Sequence, residues 1–240
     1  MPSRLPTPTD FPSPFILSIT PPPPSQQPVN ILLLLHGLGD TNASFTTLGT
    51  QLALPETACI SLQAPTPLPF DLGGFHWGDD LQFDSATGQM DVDLGFKKAV
   101  DMIGRDVIES VLMEKCGYSP RNIILFGFGQ GGMAAVATAH SLEFELGGVV
   151  SIGGPLLSSC SVNGKSTTPT LVLGGSSNTV ITKSAVSRFR TAFQTVQYHK
   201  WGKSGDGMPG NREEMLPIMK FFARRLRSRS GVPEGSVEVG

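Results

Sequence analysis

Short apolar runs that stop at glycine punctuate this sequence. Asn30–His36 precedes Gly37, Asn122–Phe126 precedes Gly127, Gly148–Ile152 precedes Gly153, and Pro169–Leu173 precedes Gly174. Runs this short, apolar on both parities, suit strands covered on both faces. Thr57–Leu62 and Val196–Trp201 read as two further strands. Helical patterns lie between them. A polar start at Asp40–Ser44 opens a helix to about Leu54. Asp91–Cys116 places Phe96, Val100, Ile103, Val107 and Val111 on one face, with Gly117 as its stop. Met133–His140, Thr182–Phe193 and Glu213–Arg227 complete the set. Strands alternating with helices predict an α/β fold: a mostly parallel central sheet with helices on both faces. Ligands in such sheets bind at the carboxyl ends of strands, so the loops after residues 36, 127, 153, 174 and 201 are the candidate site. Residues 64–90, rich in Pro, Gly and Asp, read as a long structureless loop of the kind often kept for function.

The 240 residues fit one domain, assigned to 29–228. Residues 1–28 hold ten prolines, including Pro21–Pro24. Proline lacks a backbone donor, so this segment reads as an extended coat, with Phe15–Ile19 able to form a short edge strand. Residues 229–240 read as a polar tail. Lys+Arg 18 against Asp+Glu 20 gives a net charge of −2, which offers no basic face for nucleic acid. Arg224, Arg225, Arg227 and Arg229 fit the end of a helix, where cations complement its dipole. Cys59, Cys116 and Cys160 are widely spaced and read as reduced thiols, with no metal site. The longest aliphatic run, Ile31–Leu35, is too short to span a bilayer, and no secretory signal opens the chain. A cytoplasmic protein with no cofactor and no stable membrane insertion is expected. Oligomeric state is not readable from the sequence.

Gly127-Phe-Gly-Gln-Gly-Gly132 joins a strand directly to a helix. No Lys follows, so it is not a P-loop. Gly127, Gly129 and Gly132 match the dinucleotide spacing, but no acidic residue ends the next strand, and the motif sits mid-chain. The remaining reading is the nucleophile elbow, G-x-S-x-G, whose flanking glycines allow close approach of helix and strand. Gly127 and Gly131 supply these. Gly129 stands where serine belongs.

With these residues in view, the chain resembles the acyl-protein thioesterase/carboxylesterase family of α/β-hydrolases. His36-Gly-Leu-Gly-Asp-Thr41 is similar to the family's HGLGDT segment, and Ser119–Gly132 to its stretch ending GFSQGG. Leu146–Val150 and Gly154–Leu156 continue the likeness, which runs over residues 29–227. The resemblance implies the α/β-hydrolase fold and a Ser–Asp–His triad. Matched position by position, Gly129 stands for the serine and Asn178 for the aspartate. Asp206 stands for the histidine when Val196–Trp201 is aligned without a gap. An amide cannot offset an imidazolium charge, and a glycine cannot attack. The oxyanion donors implied are the backbone N–H groups of Leu38 and Gln130. Being backbone, they do not depend on side-chain identity. His36 is implied to be structural.

Three functional readings follow. One is a family member without triad catalysis that retains a pocket for an acyl or carboxylate ligand, a lipid, or an acylated protein. Another is an active ester or thioester hydrolase using other residues, with Ser176, Ser177, Ser204 and Cys160 as the nucleophiles available on loops. His76, His140 and His199 lack a Ser or Cys at a recognised spacing. The last is a purely structural interaction domain. A metal site from Asp40, Asn178 and Asp206 lacks histidine support. Trp77, Trp201 and Phe75 are expected to pack or line the groove.

Overall fold

The computed structural model describes residues 3–24, 26–69, 72–83, 90–91, 95–162 and 164–229. Seven strands form one sheet: β1 (Leu17–Thr20), β2 (Asn30–Leu35), β3 (Thr57–Leu62), β4 (Ile123–Phe128), β5 (Gly148–Ile152), β6 (Thr170–Gly174) and β7 (Val196–Lys200). Their order is β1-β3-β2-β4-β5-β6-β7. Every neighbouring pair is parallel except β1 and β3, which run antiparallel with Leu17 opposite Leu62. The proline-rich segment thus contributes the edge strand of the sheet, and its Phe11 is buried in the core.

Helices flank the sheet: α1 (Asn42–Leu52), α2 (Lys97–Val100) continuing into a π-wound stretch (Asp101–Lys115), α3 (Gln130–Ser141), α4 (Lys183–Ala192) and α5 (Arg212–Arg225). The parity of β2 shows which face each covers. Ile31, Leu33 and Leu35 pack with Ile103 and Val107 of the π-wound stretch, Ala135 of α3 and Phe189 of α4. Leu32 and Leu34 pack with Phe45 of α1 and Phe222 of α5. Both parities of β2 are buried, which is why the strand is apolar from Ile31 to Leu35.

Two sequence expectations are corrected. The helix expected from Asp91 begins at Lys97, because its start is capped from a distance: the N–H groups of Lys97 and Lys98 donate to the Asp79 carboxylate at 2.7 and 2.8 Å. Asp91 instead pairs in a short ladder, Gln82–Phe83 with Met90–Asp91. The 64–90 loop is also not structureless throughout. Thr66–Pro67 pairs antiparallel with Phe75–His76, and Phe75 is tied in turn to the loop after β2. Its carbonyl accepts from Gly39 N–H at 2.9 Å, and its own N–H donates to the Asp40 carbonyl at 3.1 Å. The polar tail expected beyond 229 lies outside the described residues.

Candidate functional site

The carboxyl ends of β2, β4, β5, β6 and β7 bring the loops at 36–40, 129, 153–154, 175–182 and 201–207 to one edge of the sheet. At its centre β4 turns into α3 through Gly129, at φ +53° and ψ −120°. A residue with a Cβ incurs strain there that glycine does not. The turn is locked from all sides. Gly129 N–H donates to the Ile152 carbonyl at 2.8 Å, and its carbonyl accepts from Met133 N–H at 3.0 Å. A Cβ on Gly127 would strike the Gly131 carbonyl, and one on Gly131 would strike the carbonyls of Leu35 and His36. A Cβ on Gly129 itself would meet nothing within 4 Å. The turn from β4 into α3 is therefore tightly packed, with open space where a side chain at position 129 would project.

The N–H groups of Leu38 and Gln130 have no hydrogen-bond partner among the described residues. Gln130 opens a 12-residue helix, so its amide sits at the positive end of the α3 dipole. The Gln130 side chain is buried, and its Oε1 accepts from Trp77 N–H at 2.8 Å. Its Nε2 is buried and unpartnered among the described residues, as is Nδ1 of neighbouring His76.

His36 is fully buried. Its Nε2 accepts from Ala64 N–H at 3.0 Å, which leaves Nδ1 to donate to the Gly37 carbonyl at 2.7 Å. Trp77 Nε1 donates to the His36 carbonyl at 2.8 Å. Burial holds the imidazole below its ordinary range. With both nitrogens committed to backbone, His36 braces the loop after β2, the structural part the resemblance implies. Trp77 and Trp201 are both buried and pack rather than form a ligand box.

The loops after β6 and β7 are stitched together. Asp206 accepts three bonds from the β6 loop: Gly175 N–H at 2.9 Å and the Thr179 hydroxyl at 2.5 Å on Oδ1, and Val180 N–H at 2.8 Å on Oδ2. Asn178 is exposed, at φ +48°, and its amide donates to Ser204 Oγ at 3.1 Å. Ser177 Oγ reaches the same hydroxyl at 3.1 Å, and Ser176 Oγ donates to the carbonyls of Gly202 and Lys203. Lys203 lies 4.4 Å from the centre of the Trp201 ring and bonds Glu214 at 2.7 Å. The structure thus gathers Asn178 and Ser177 on the Ser204 hydroxyl, while Asp206 holds the same loop separately through Gly175, Thr179 and Val180. The other histidines lie on other elements: His76 on the short strand at 75–76, His140 in the last turn of α3, and His199 on β7. One contact lay beyond sequence reasoning: Cys160 touches His140. They stand 20 positions apart with the strand β5 between them, so no motif announces the pair. Among the described residues no cluster of three or more His, Cys, Asp or Glu is arranged to hold a metal, and no helix is long and apolar enough to cross a membrane.

Comparison with known proteins places the chain in a family. The profile of the phospholipase/carboxylesterase family matches residues 20–225. An uncharacterized hydrolase of Schizosaccharomyces pombe is 31% identical over 218 residues, covering 88% of this chain and 89% of that protein. Acyl-protein thioesterase 1 of Saccharomyces cerevisiae is 32% identical over 132 residues, 51% of this chain and 56% of that protein. Among solved structures, esterase PE8 superposes with a TM-score of 0.71 at 21% identity, covering 88% of this chain and 99% of that one. Zea mays acyl-protein thioesterase 2 superposes with a TM-score of 0.64 at 20% identity, with the same coverage.

Proposed function

The chain belongs to the phospholipase/carboxylesterase family of α/β-hydrolases, and from that premise we propose that it keeps the family's acyl-binding architecture without running triad hydrolysis. The observation that carries this reading is Gly129, which has the backbone angles of an elbow and no side chain to attack with. Asn178 and Asp206 support it. In this reading they are the former acid and base positions, and both are engaged in holding neighbouring loops together. Triad members act as a unit, so losing the nucleophile removes the role of the other two.

What remains is a binding device. A carbonyl or carboxylate oxygen of the ligand accepts from the N–H groups of Leu38 and Gln130, helped by the dipole of α3. The thioesterase relatives make a long-chain acyl group the ligand class to test, whether free, on a lipid or on an acylated cytoplasmic protein. Two measurements on the full chain test the reading. A fluorophosphonate probe is expected to label no serine, and calorimetry with palmitate is expected to give saturable binding. A covalent adduct on any serine would overturn the loss of catalysis. Absence of palmitate binding would overturn the retained pocket and leave an interaction domain.

A further inference from the structure

A second pair of reactive side chains lies away from the elbow. His140 follows Gln130 by ten positions along α3, roughly 15 Å at the rise of a helix. Its Nδ1 is 3.7 Å from Cys160 Sγ. Both residues are half-buried, and Cys160 carries a thiol. The other two cysteines differ. Cys59 and Cys116 are buried, and burial pushes the Cys59 thiol up to about 12 and raises that of Cys116.

The surroundings fix the pair in place. Arg188 of α4 straps the loop that carries the cysteine. Its Nε and Nη2 bond the Leu157 carbonyl at 3.0 and 2.6 Å, and Nη2 also bonds the carbonyls of Ser158 and Cys160 at 3.0 and 2.5 Å. The His140 ring meets Phe193 edge-on at 5.8 Å. His140 occupies the last turn of α3. It also borders a cleft of about 290 Å³ with Glu143, Lys165 and Ser166. Arg188 on the cysteine loop, and Lys165 and Glu143 lining the cleft beside His140, are charged groups close to the pair.

We propose that Cys160 is a reactive thiol, with His140 as its proton acceptor, that undergoes exchange with small-molecule disulfides. The thiol proton passes to His140 Nδ1. The thiolate attacks one sulfur of the disulfide, a new Sγ–S bond forms as the old S–S bond breaks, and the departing thiolate takes up the proton from the ring. One thiol and one disulfide enter, one mixed disulfide and one thiol leave, and no further oxidant is needed. The site uses no elbow residue, so it stands or falls separately from acyl binding.

The test uses the full chain with the aromatic disulfide 5,5′-dithiobis(2-nitrobenzoate), read by released thiolate and by peptide mass mapping. Cys160 is expected to carry the first adduct, at a rate at pH 7 roughly fivefold above that of N-acetylcysteine. His140→Gln is expected to slow it by a similar factor while Cys160→Ser abolishes it. The parent chain tests the proposal without any substitution: its rate is expected to reach half its maximum below about pH 8.5, the ordinary thiol value. A first adduct on Cys59 or Cys116, a half-maximal rate at or above that pH, or a rate unchanged by His140→Gln would overturn the proposal.

Discussion

Thr179 and Asp206 join the two loops that close the carboxyl edge of the sheet. The hydroxyl donates to the carboxylate at 2.5 Å, between two backbone N–H bonds to the same group. Hydrogen bonds to a charged acceptor contribute more than neutral ones, and stranding their donors costs more still. Asp206→Ala is therefore expected to lower unfolding free energy by about 1–3 kcal/mol in urea titrations. Asp206→Asn, which keeps one acceptor oxygen, is expected to fall between the parent and the alanine variant. An Asp206→Ala protein as stable as the parent would show the loops are held by other contacts.

Gly129→Ser isolates the cost of the elbow. The added side chain meets open space, so the penalty is backbone strain alone, about 1–3 kcal/mol. A lower Tm is expected; on the proposed reading of Asn178 and Asp206, hydrolysis of p-nitrophenyl esters stays at background, because a serine without a base is a weak nucleophile. A variant more stable than the parent would refute the strain argument, and substantial turnover would refute the reading of Asn178 and Asp206.

Glycines of one protein differ in how much they matter. A Cβ at Gly131 would overlap the backbone of Leu35 and His36, whereas one at Gly207 meets nothing within 4 Å. Gly131→Ala is expected to cost about 2–4 kcal/mol. Gly207→Ala is expected to be neutral within about 0.5 kcal/mol. Parallel denaturant titrations of the two variants check the contrast.

His36 sets an acid limit. Its folded-state pKa is lowered chiefly by burial, so in mild acid the unfolded chain binds a proton that the folded chain refuses. Stability is then full above the ordinary histidine value of about 6.5 and falls as pH drops below it, by up to about 1.4 kcal/mol per pH unit. His76 is lowered in the same direction, also chiefly by burial, and adds to the slope. Urea titrations between pH 8 and 5 should show the decline. His36→Gln is expected to be less stable at neutral pH but to decline less steeply. An equal slope in the variant would place the proton uptake elsewhere.

The inner strands were legible because burial on both faces leaves no polar parity to confuse, as Ile31–Leu35 illustrates. The tight turn from β4 into α3 was legible because Gly127 and Gly131 answer to backbone collisions that only glycine avoids. What sequence missed depends on contacts far apart in the chain. The start of α2 is set by Asp79, 18 residues before Lys97, so helical periodicity alone began it too early. The three donors around Asp206 come from a loop 26 to 31 residues earlier, and no spacing rule links them. The Cys160–His140 contact likewise forms only once α3 and the loop after β5 are packed.

The edge strand β1 sits between Pro14 and Pro21–Pro24, with only four residues in its ladder. A foreign strand laid along its outer side would gain four residues of pairing and then meet imide nitrogens with nothing to donate. The prolines that look like clutter at the start of the chain therefore act as a selvedge, a finished border along which this sheet is hard to extend into a fibril.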